Sequence, residues 1–273
     1  MSLPKPRPRS TALVTGASAG IGQEIARELA RRGHGVTLVA RRKNRLEALA
    51  QELSAEYGIR AETIACDLGK AASRARIPGR ISELGLDVEI LVNNAGFATG
   101  GPFYEADPTR ELEQVRVLVE AVVGLTSAFL PQMVKRRRGG ILNVASTAAM
   151  QPLPYAAGYA AAKAYVLTFS EAVHQEVAGH GVAVTALCPG PVETEKFWDQ
   201  AGWQVAGGRS FEQAFPAKAS AREVARAGVA GLDSGRRVVV PGLPTWAAMQ
   251  AVRYVPHAIK LPAMEWVLRK RDS

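Results

Sequence analysis

Tyr159 and Lys163 form the first pair of residues whose types and spacing could do chemistry. They stand four positions apart in a helical pattern over residues 157–179, so their side chains would share one face of the helix. A free tyrosine has a pKa of about 10 and is a poor acid or base at neutral pH unless a positive charge stabilises its phenolate. Lys163 can supply that charge. Tyr155 lacks such a partner, because the residue four positions after it is Tyr159, and we expect it to line a pocket.

A glycine-rich segment, Thr15 to Gly22, could bind a pyrophosphate. It follows a β-rich stretch and opens a helix, and its glycines follow the pattern GxxxGxG. Glycines there allow a sharp turn and let the backbone approach a phosphate, while the helix N-terminus supplies free N–H groups and partial positive charge. Glycine-rich turns also occur for purely steric reasons, but here a strand and a helix flank the loop as the motif requires. The residues that we expect to contact a dinucleotide in this loop are Gly16, Ser18, Gly20, Ile21 and Gly22.

The elements that must position these residues alternate between short β-rich stretches and long helical patterns. Continuous apolar strands separated by helices are typical of a parallel sheet covered on both faces. Right-handed crossovers then give a single α/β domain with a doubly wound, Rossmann-like sheet of about seven strands. The strand candidates are 11–15, 35–40, 61–66, 88–92, 140–145, 182–187 and 236–240, and the helix candidates are 20–32, 43–57, 70–84, 108–137, 157–179 and 220–232.

Further motifs follow the glycine loop in a fixed order. The chain resembles the short-chain dehydrogenases/reductases over about residues 10–240, and six motifs in order make this resemblance specific, whereas a tyrosine–lysine pair alone would indicate little. The motifs after the glycine loop are Asp67-Leu68, Asn93-Asn94-Ala95-Gly96, Ser146, Tyr159-xxx-Lys163 and Pro189-Gly190.

The resemblance implies an oxidoreductase that acts on a small-molecule carbonyl or alcohol. It implies that Ser146 orients the substrate oxygen, that Tyr159 is the acid or base, and that Lys163 also holds the nicotinamide ribose. The cofactor-site residues that it implies are Asp67 and Leu68 beside the adenine, Asn93 near a ribose, Ala95, Gly96, Pro189 and Gly190, and Val192 and Thr194 near the nicotinamide amide.

The end of the second strand predicts NADP as the cofactor and makes NAD less expected. A site that prefers NAD usually has an acid there to accept from the ribose hydroxyls. This strand is followed by Arg41, Arg42 and Lys43, with no acid before Glu47. Guanidinium groups can pair with a 2′-phosphate in bidentate fashion. Three basic residues that open a helix could also be a solvated face.

Leu118 departs from the family pattern. The resemblance places an asparagine at this position, thirteen residues before Pro131. In the family, that asparagine holds a water that links the lysine to solvent. Leucine cannot hydrogen-bond a water. Either solvent reaches Lys163 by another route, which we favour because the other catalytic residues are intact, or turnover is slow or lost. The second outcome would make the chain a cofactor-binding regulator or scaffold rather than an enzyme.

The net charge of +9 lies mostly at the two ends of the chain. Residues 1–10 and 253–273 carry +3 each, which leaves +3 for the long segment between them and argues against a nucleic-acid-binding face. We expect residues 1–9 to be a disordered basic tail, residues 10–243 to be the NADP-binding domain, and residues 244–273 to be an apolar, basic extension.

No uncharged apolar run is long enough to predict a membrane span or a secretory signal, so we expect a cytoplasmic protein. The four histidines show no metal-ligand spacing, which predicts no metal site. Cys66 and Cys188 lie in apolar stretches and are expected to be buried thiols. The family resemblance implies a homodimer or homotetramer that pairs through the helices at 108–137 and 157–179.

Two irregular regions follow the last motif. Residues 191–219 carry several aromatic residues, which favour an apolar pocket wall under a mobile lid and hence a lipophilic substrate, although packing alone could explain them. The extension at 244–273 could close the pocket, pack on another subunit or rest on an acidic membrane surface. We rank the first two above membrane contact.

Overall fold

The computed structural model describes residues 3–193, 204–205, 209–210 and 219–268, and its centre is a parallel sheet. The strands of this sheet are β1 Ser10–Thr15, β2 Val36–Ala40, β3 Ala61–Ala65, β4 Asp87–Asn93, β5 Gly139–Val144, β6 Val182–Leu187 and β11 Val238–Val239. These seven strands follow the spatial order β3-β2-β1-β4-β5-β6-β11, and every pairing among them is parallel. This confirms the predicted doubly wound, Rossmann-like α/β domain.

Ten α-helices are described, and four two-residue strands lie outside the main sheet. The helices are α1 Gly20–Arg31, α2 Lys43–Tyr57, α3 Ala71–Ala75, α4 Ile77–Glu83, α5 Pro108–Val115, α6 Ala121–Arg136, α7 Ala157–Val177, α8 Ala221–Asp233, α9 Leu243–Arg253 and α10 His257–Leu268. Of the short strands, β7 Val192–Glu193 pairs with β10 Ala219–Ser220 and β8 Gln204–Val205 pairs with β9 Arg209–Ser210.

Two apolar layers hold the helices on opposite faces of the sheet. On one face Ile25 of α1 and Leu49 of α2 join Val229 of α8 in a buried cluster. On the other face Phe129 of α6 and Val173 of α7 belong to a second cluster. Both faces of the sheet are therefore covered, which explains why the strand sequences are continuously apolar rather than alternating.

Two predicted helices differ from the expected continuous form. The segment at 70–84 is divided into α3 and α4, with Pro78 in the first turn of α4. Proline has no N–H and restricts the residue before it, so a helix begins there more readily than it continues. The segment at 108–137 runs as α5, a π-helical turn at Arg116–Glu120 and α6. The π turn contains Leu118, the position where the sequence departs from the family pattern.

The whole helical segment Pro108–Arg136 is long and apolar enough to cross a membrane by length and composition. Its α6 part, however, packs against β4 and β5, and Leu125, Phe129 and Met133 are buried there. A core helix of a sheet protein passes the same test, so this segment is a layer of the fold.

Residues 3–9 differ from the expected disordered tail, because they lie against the domain. The backbone N–H of Leu3 donates to Asp233 at 2.8 Å, and the Nε of Arg9 donates to the carbonyl of Gly85 at 3.2 Å. The guanidinium of Arg138 donates to the carbonyl of Lys5. The prediction considered only the side chains of this segment, whereas its backbone groups supply most of these contacts.

Candidate active site

A cleft of about 810 Å³ opens at the carboxyl ends of the central strands. The chain leaves β1 toward β2 on one side, while β4 lies on the other, so the cleft sits at the switch point where α/β sheets bind ligands. Its volume suits a small-molecule ligand. The predicted site residues that line it are Gly16, Ser18, Gly20, Ile21, Arg41, Arg42, Asp67, Leu68, Ala95, Gly96, Ser146, Tyr159, Lys163, Pro189, Gly190 and Val192.

Among the predicted site residues that the structure describes, Gly22 and Asn93 do not line the cleft. Thr194 and the aromatic residues of the 191–219 stretch lie outside the described residues. Gly22 packs behind the loop: a Cβ at this position would lie 2.3 Å from the Nδ2 of Asn94 and 2.5 Å from the carbonyl oxygen of Gly16. Gly22 is therefore required for close packing of α1.

The side chain of Asn93 points away from the cleft, and the position of this residue near a ribose stays a prediction. Its Nδ2 donates to the Oδ1 of Asn143 at 2.8 Å, and the Nδ2 of Asn143 donates to Ser170 at 2.9 Å in a buried network. Asn93 shares a face of β4 with Leu91, which is buried in the layer under α6 and α7. Side chains alternate along a strand, so the next residue, Asn94, points the other way and lines the cleft.

Asn94 and Thr15 fasten the glycine loop to the end of β4. The hydroxyl of Thr15 accepts from the backbone N–H groups of Asn94 at 2.9 Å and Ala95 at 3.1 Å, and it donates to the carbonyl of Val92 at 3.0 Å. The Nδ2 of Asn94 donates to the carbonyl of Thr15 at 3.0 Å. These bonds fix the backbone at the floor of the cleft. Sequence reasoning assigned no role to Asn94, although it stands inside the motif.

The glycine loop needs its glycines for backbone conformation as well as for space. Gly16 has φ of 66° and Gly20 has φ of 59°, a left-handed conformation that side chains disfavour. A Cβ at Gly16 would also lie 2.8 Å from the Cα of Ala95. Gly20 begins α1. The first turn of this helix contains no acidic residue, so no negative side chain there competes for the free N–H groups of the helix N-terminus.

Ser146, Tyr159 and Lys163 come together at one end of the cleft. All three are buried, with exposed fractions of 7%, 4% and 5%. The Nζ of Lys163 lies 5.8 Å from the centre of the Tyr159 ring and donates to the carbonyl of Val144 at 2.7 Å. The Ser146 hydroxyl accepts from the N–H of Ala148 at 3.1 Å, which holds it at the start of a 3-10 turn.

Burial sets the protonation of this trio. It raises the pKa of Tyr159 to about 12, and a side-chain hydrogen bond with Ser146 opposes that rise. Burial also lowers the pKa of Lys163 to about 8, because the ammonium loses its hydration. The phenol therefore holds its proton at neutral pH and can donate it, while Lys163 still carries charge there.

Cys188 lies next to this trio. Burial raises the pKa of its thiol to about 12, and a backbone hydrogen bond with Ser146 and the charge of Lys163 oppose that rise. The thiol is therefore neutral. Cys66 and Cys188 are both free and buried, which confirms the prediction of two buried thiols.

Leu118 fills the space beside Lys163 and the loop after β4. It is 1% exposed and belongs to a buried cluster with Ala98, Tyr159 and Ala162. A Cβ at Gly96 would lie 2.6 Å from the Cδ2 of Leu118 and 3.9 Å from the Nζ of Lys163. Methyl groups thus stand near the lysine, where the family pattern has an amide.

Three arginines rim the opposite end of the cleft. Arg41, Arg42 and Arg45 are exposed there, and sequence reasoning missed Arg45 because it lies inside α2. The guanidinium of Arg42 donates to the hydroxyl of Ser18 at 2.9 Å. Arg41 lies 4.0 Å from Glu113. Lys43 does not line the cleft and pairs with Glu47 at 3.5 Å.

These features fit a nicotinamide dinucleotide. The glycine loop and the N-terminus of α1 would hold the pyrophosphate, and Asp67 and Leu68 line the part of the cleft that the sequence assigns to the adenine. Within the described residues, no group of three His, Cys, Asp or Glu side chains could hold a metal ion.

The C-terminal helices pack beside Tyr159 and Gly190. Leu268 of α10 is buried in the same apolar cluster as Tyr159, and Met264 and Val267 pack against that cluster. Thr245 of α9 lies against Gly190, since a Cβ there would be 3.2 Å from its Cγ2. The inner side of the extension therefore packs near two of the residues that line the cleft.

Tyr155 packs against the same cluster and is not among the residues that line the cleft, although the sequence predicted that it would line a pocket. Its φ of 65° is left-handed, and its carbonyl accepts from the N–H of Gly101 at 2.9 Å. A non-glycine residue in this conformation costs free energy, and such residues concentrate at functional sites.

Comparison with known proteins places the chain in one family. The family model described as short chain dehydrogenase matches residues 10–204. A very-long-chain 3-oxoacyl-CoA reductase of Anas platyrhynchos is 37% identical over 191 residues, which are 67% of this chain and 60% of that protein. The Homo sapiens protein of the same name is 34% identical over 189 residues, again 67% of this chain and 60% of that protein. The chain thus spans about 60% of the length of these curated relatives.

Solved structures match over more of the chain. A short-chain dehydrogenase from Sphingobium yanoikuyae in complex with NADPH is 31% identical, has a TM-score of 0.79, and covers 97% of this chain and 98% of its own. L-Sorbose reductase from Gluconobacter frateurii, complexed with NADPH and L-sorbose, is 27% identical with a TM-score of 0.74 over 88% of this chain and 98% of its own.

Proposed function

The chain belongs to the short-chain dehydrogenase/reductase family of oxidoreductases, and we propose that it transfers a hydride between NADP(H) and a lipophilic carbonyl or alcohol. The observation that carries this proposal is the joint placement of Ser146, Tyr159 and Lys163 at one end of a cleft whose other end bears three arginines. A phosphorylated dinucleotide fits that charge distribution. The NADPH in two of the similar structures supports the same cofactor.

The residues of the chain supply binding, orientation and a proton. When bound, the nicotinamide supplies or accepts the hydride. The Ser146 hydroxyl hydrogen-bonds the substrate oxygen, and Tyr159 donates its phenolic proton to that oxygen in the reductive direction. The Lys163 ammonium stabilises the phenolate that remains. Because burial raises the pKa of Tyr159 to about 12, the phenol is protonated at neutral pH, and the Lys163 charge lowers the cost of forming the phenolate when the proton is transferred.

An apolar substrate is supported by the surroundings of Tyr159. The side chains packed near it include Ala98, Leu153, Met264 and Leu268, and none of these can hydrogen-bond a polar substrate. The curated relatives named as very-long-chain 3-oxoacyl-CoA reductases suggest acyl chains as one class to test. Long-chain aldehydes and ketones are the simplest members of the proposed class.

Self-association and a cytoplasmic location belong to the same proposal. Leu112 and Val115 on α5 and Tyr165 on α7 are exposed apolar side chains, which supports pairing of two copies through these helices. Free, buried thiols at Cys66 and Cys188 support a reducing compartment.

The test is consumption of NADPH with a panel of aldehydes and ketones that differ in chain length and polarity. We expect turnover of the apolar carbonyls by the natural chain. A Tyr159→Phe variant should bind NADPH equally well but turn over about 10²- to 10⁴-fold more slowly, because it lacks the proton. Preference for small, charged carbonyls would contradict the proposed substrate class, and equal turnover by the variant would contradict the assigned role.

A second candidate function is cofactor binding with little or no turnover, which Leu118 favours. Its methyl groups occupy the side of Lys163 where the family pattern expects a polar relay residue. If NADPH binds but no carbonyl is reduced until Leu118 is changed to asparagine, this second function replaces the first. Turnover by the natural chain excludes it.

A further inference from the structure

We propose that α9 and α10 rest on an anionic lipid surface, with their outer side in the headgroup region. This interaction surface is separate from the catalytic proposal and needs no turnover. We name it the C-terminal apolar face and define it by six side chains. They are Leu243, Trp246, Tyr254, Ile259, Leu261 and Trp266.

Several side chains of this face are largely exposed to solvent. Tyr254 is 82% exposed, Trp266 is 66% exposed and Ile259 is 64% exposed. Of the eleven exposed large hydrophobic side chains in the described residues, six lie in this pair of helices and the turn between them. Scattered exposed apolar residues need no explanation, but a concentration of them marks an interaction site.

The opposite side of α10 is apolar as well. Met264, Val267 and Leu268 pack into the cluster around Tyr159, while Ile259, Leu261 and Trp266 of the same helix are exposed. A helix with large apolar side chains on more than one side needs apolar surroundings on each of those sides. The cluster around Tyr159 covers the inner side, and the outer side needs a second apolar environment.

The sequence of this segment carries a net positive charge, which favours a negatively charged partner. Residues 243–268 contain Arg253, Lys260 and a single acid, Glu265, and the Lys260 side chain is buried. Over residues 253–273 the net charge is +3. Anionic lipid headgroups attract such a segment, and the indole and phenol groups of tryptophan and tyrosine suit the boundary between headgroups and acyl chains.

A second copy of the chain fits this face less well. It would bring the same positive segment to the contact, and like charges oppose pairing. The exposed apolar residues of α5 and α7 already offer another place for self-association. The helices α9 and α10 have 11 and 12 residues, whereas about 20 are needed to span a bilayer. Their expected position is therefore along the surface of the membrane.

Flotation of the full chain with vesicles tests this proposal. Phosphatidylcholine vesicles would be compared with vesicles that also contain phosphatidylserine, at low and high salt. We expect binding to the anionic vesicles, weakened by salt because charges are screened. A Trp246→Ser, Ile259→Ser double variant, with one change on each helix, should lose about tenfold or more in binding, because it removes apolar surface from the contact.

A matched control is a Phe103→Ser, Tyr104→Ser double variant, which alters two side chains that are 65% and 87% exposed at another place. It should bind vesicles like the natural chain, and all three proteins should keep the same NADPH affinity, which shows that they are folded. Absence of binding, or equal loss in both variants, overturns the proposal. The proposal is also overturned if none of the proteins binds vesicles and sedimentation shows that only the C-terminal variant becomes monomeric. The face is then occupied by a second copy of the chain.

Discussion

The two ends of the cleft are built by different means. At the cofactor end, hydrogen bonds of Thr15 and Asn94 hold the backbone, and Gly16 approaches Ala95 too closely to carry a side chain. At the substrate end, apolar side chains from α10 pack around Tyr155 and Tyr159. The cofactor end depends on particular atoms at particular places. The substrate end depends on apolar volume, which many side-chain sets can provide.

This difference predicts two kinds of response to mutation. Changes at the cofactor end should affect NADPH binding and reduce turnover of every substrate to the same degree. Changes at the substrate end should leave cofactor affinity intact and alter the choice among substrates. Each prediction below tests one side of that distinction.

The largest expected effect on cofactor binding comes from the arginines at the rim. An Arg41→Ala, Arg42→Ala variant should raise the Kd for NADPH about 100-fold and change the Kd for NADH by less than about threefold, because charge-assisted hydrogen bonds to the extra phosphate are lost. Titration followed by fluorescence measures both constants. Lys43→Ala is the control, since Lys43 is the adjacent cation and does not line the cleft. An equal loss for both cofactors would contradict the assignment of these arginines.

The pH dependence of reduction should report Lys163. Its pKa is lowered to about 8, so its charge is present below that pH and is lost as pH rises through it. The phenolate that forms on Tyr159 then loses its positive neighbour, while Tyr159 itself stays protonated because its pKa is about 12. We expect kcat/KM for carbonyl reduction to fall by about tenfold per pH unit above about 8. A profile that stays flat to pH values near the ordinary lysine pKa would contradict this, provided that NADPH affinity is constant over the same range.

Sequence alone predicted the sheet and most of the cofactor end for a physical reason. Gly16 and Gly20 have positive φ and Gly22 lies against other atoms, so few alternatives to glycine exist and the motif is readable. Tyr159 and Lys163 could also be predicted, because two side chains four residues apart share one face of a helix. The continuous apolar strands likewise predicted a parallel sheet covered by helices.

The parts that sequence could not predict are those without such constraints. Because both faces of β4 are buried, burial alone does not show which way Asn93 points, and the prediction did not single out Asn94, the residue that lines the cleft. The ordered course of residues 3–9 depends on distant partners such as Asp233. The inner and outer sides of α10 are both apolar, so its packing over Tyr159 could not be separated from the alternatives.

A smaller effect should follow from removing the Thr15 hydroxyl. Thr15→Val leaves the N–H groups of Asn94 and Ala95 without their acceptor, which should cost about 2–3 kcal/mol of unfolding free energy and weaken NADPH binding by about tenfold. Thr37→Val is the matched control. Thr37 is also fully buried, but its hydroxyl pairs with Thr11 at the far end of the strands. The control should lose stability in denaturation and keep its NADPH affinity.

The smallest expected effect belongs to the substrate end. Met264→Ala should leave the Kd for NADPH unchanged and lower KM for bulky ketones several-fold relative to small ones, because it removes volume next to the cluster that contains Tyr159. Met249→Ala makes the same change on α9 outside that cluster and should alter neither ratio. Steady-state kinetics on a paired bulky and small ketone measure the effect. If Met264→Ala weakened NADPH binding instead, the two ends of the cleft would be coupled. The distinction between a cofactor end that depends on particular atoms and a substrate end that depends on apolar volume would then not hold for α10.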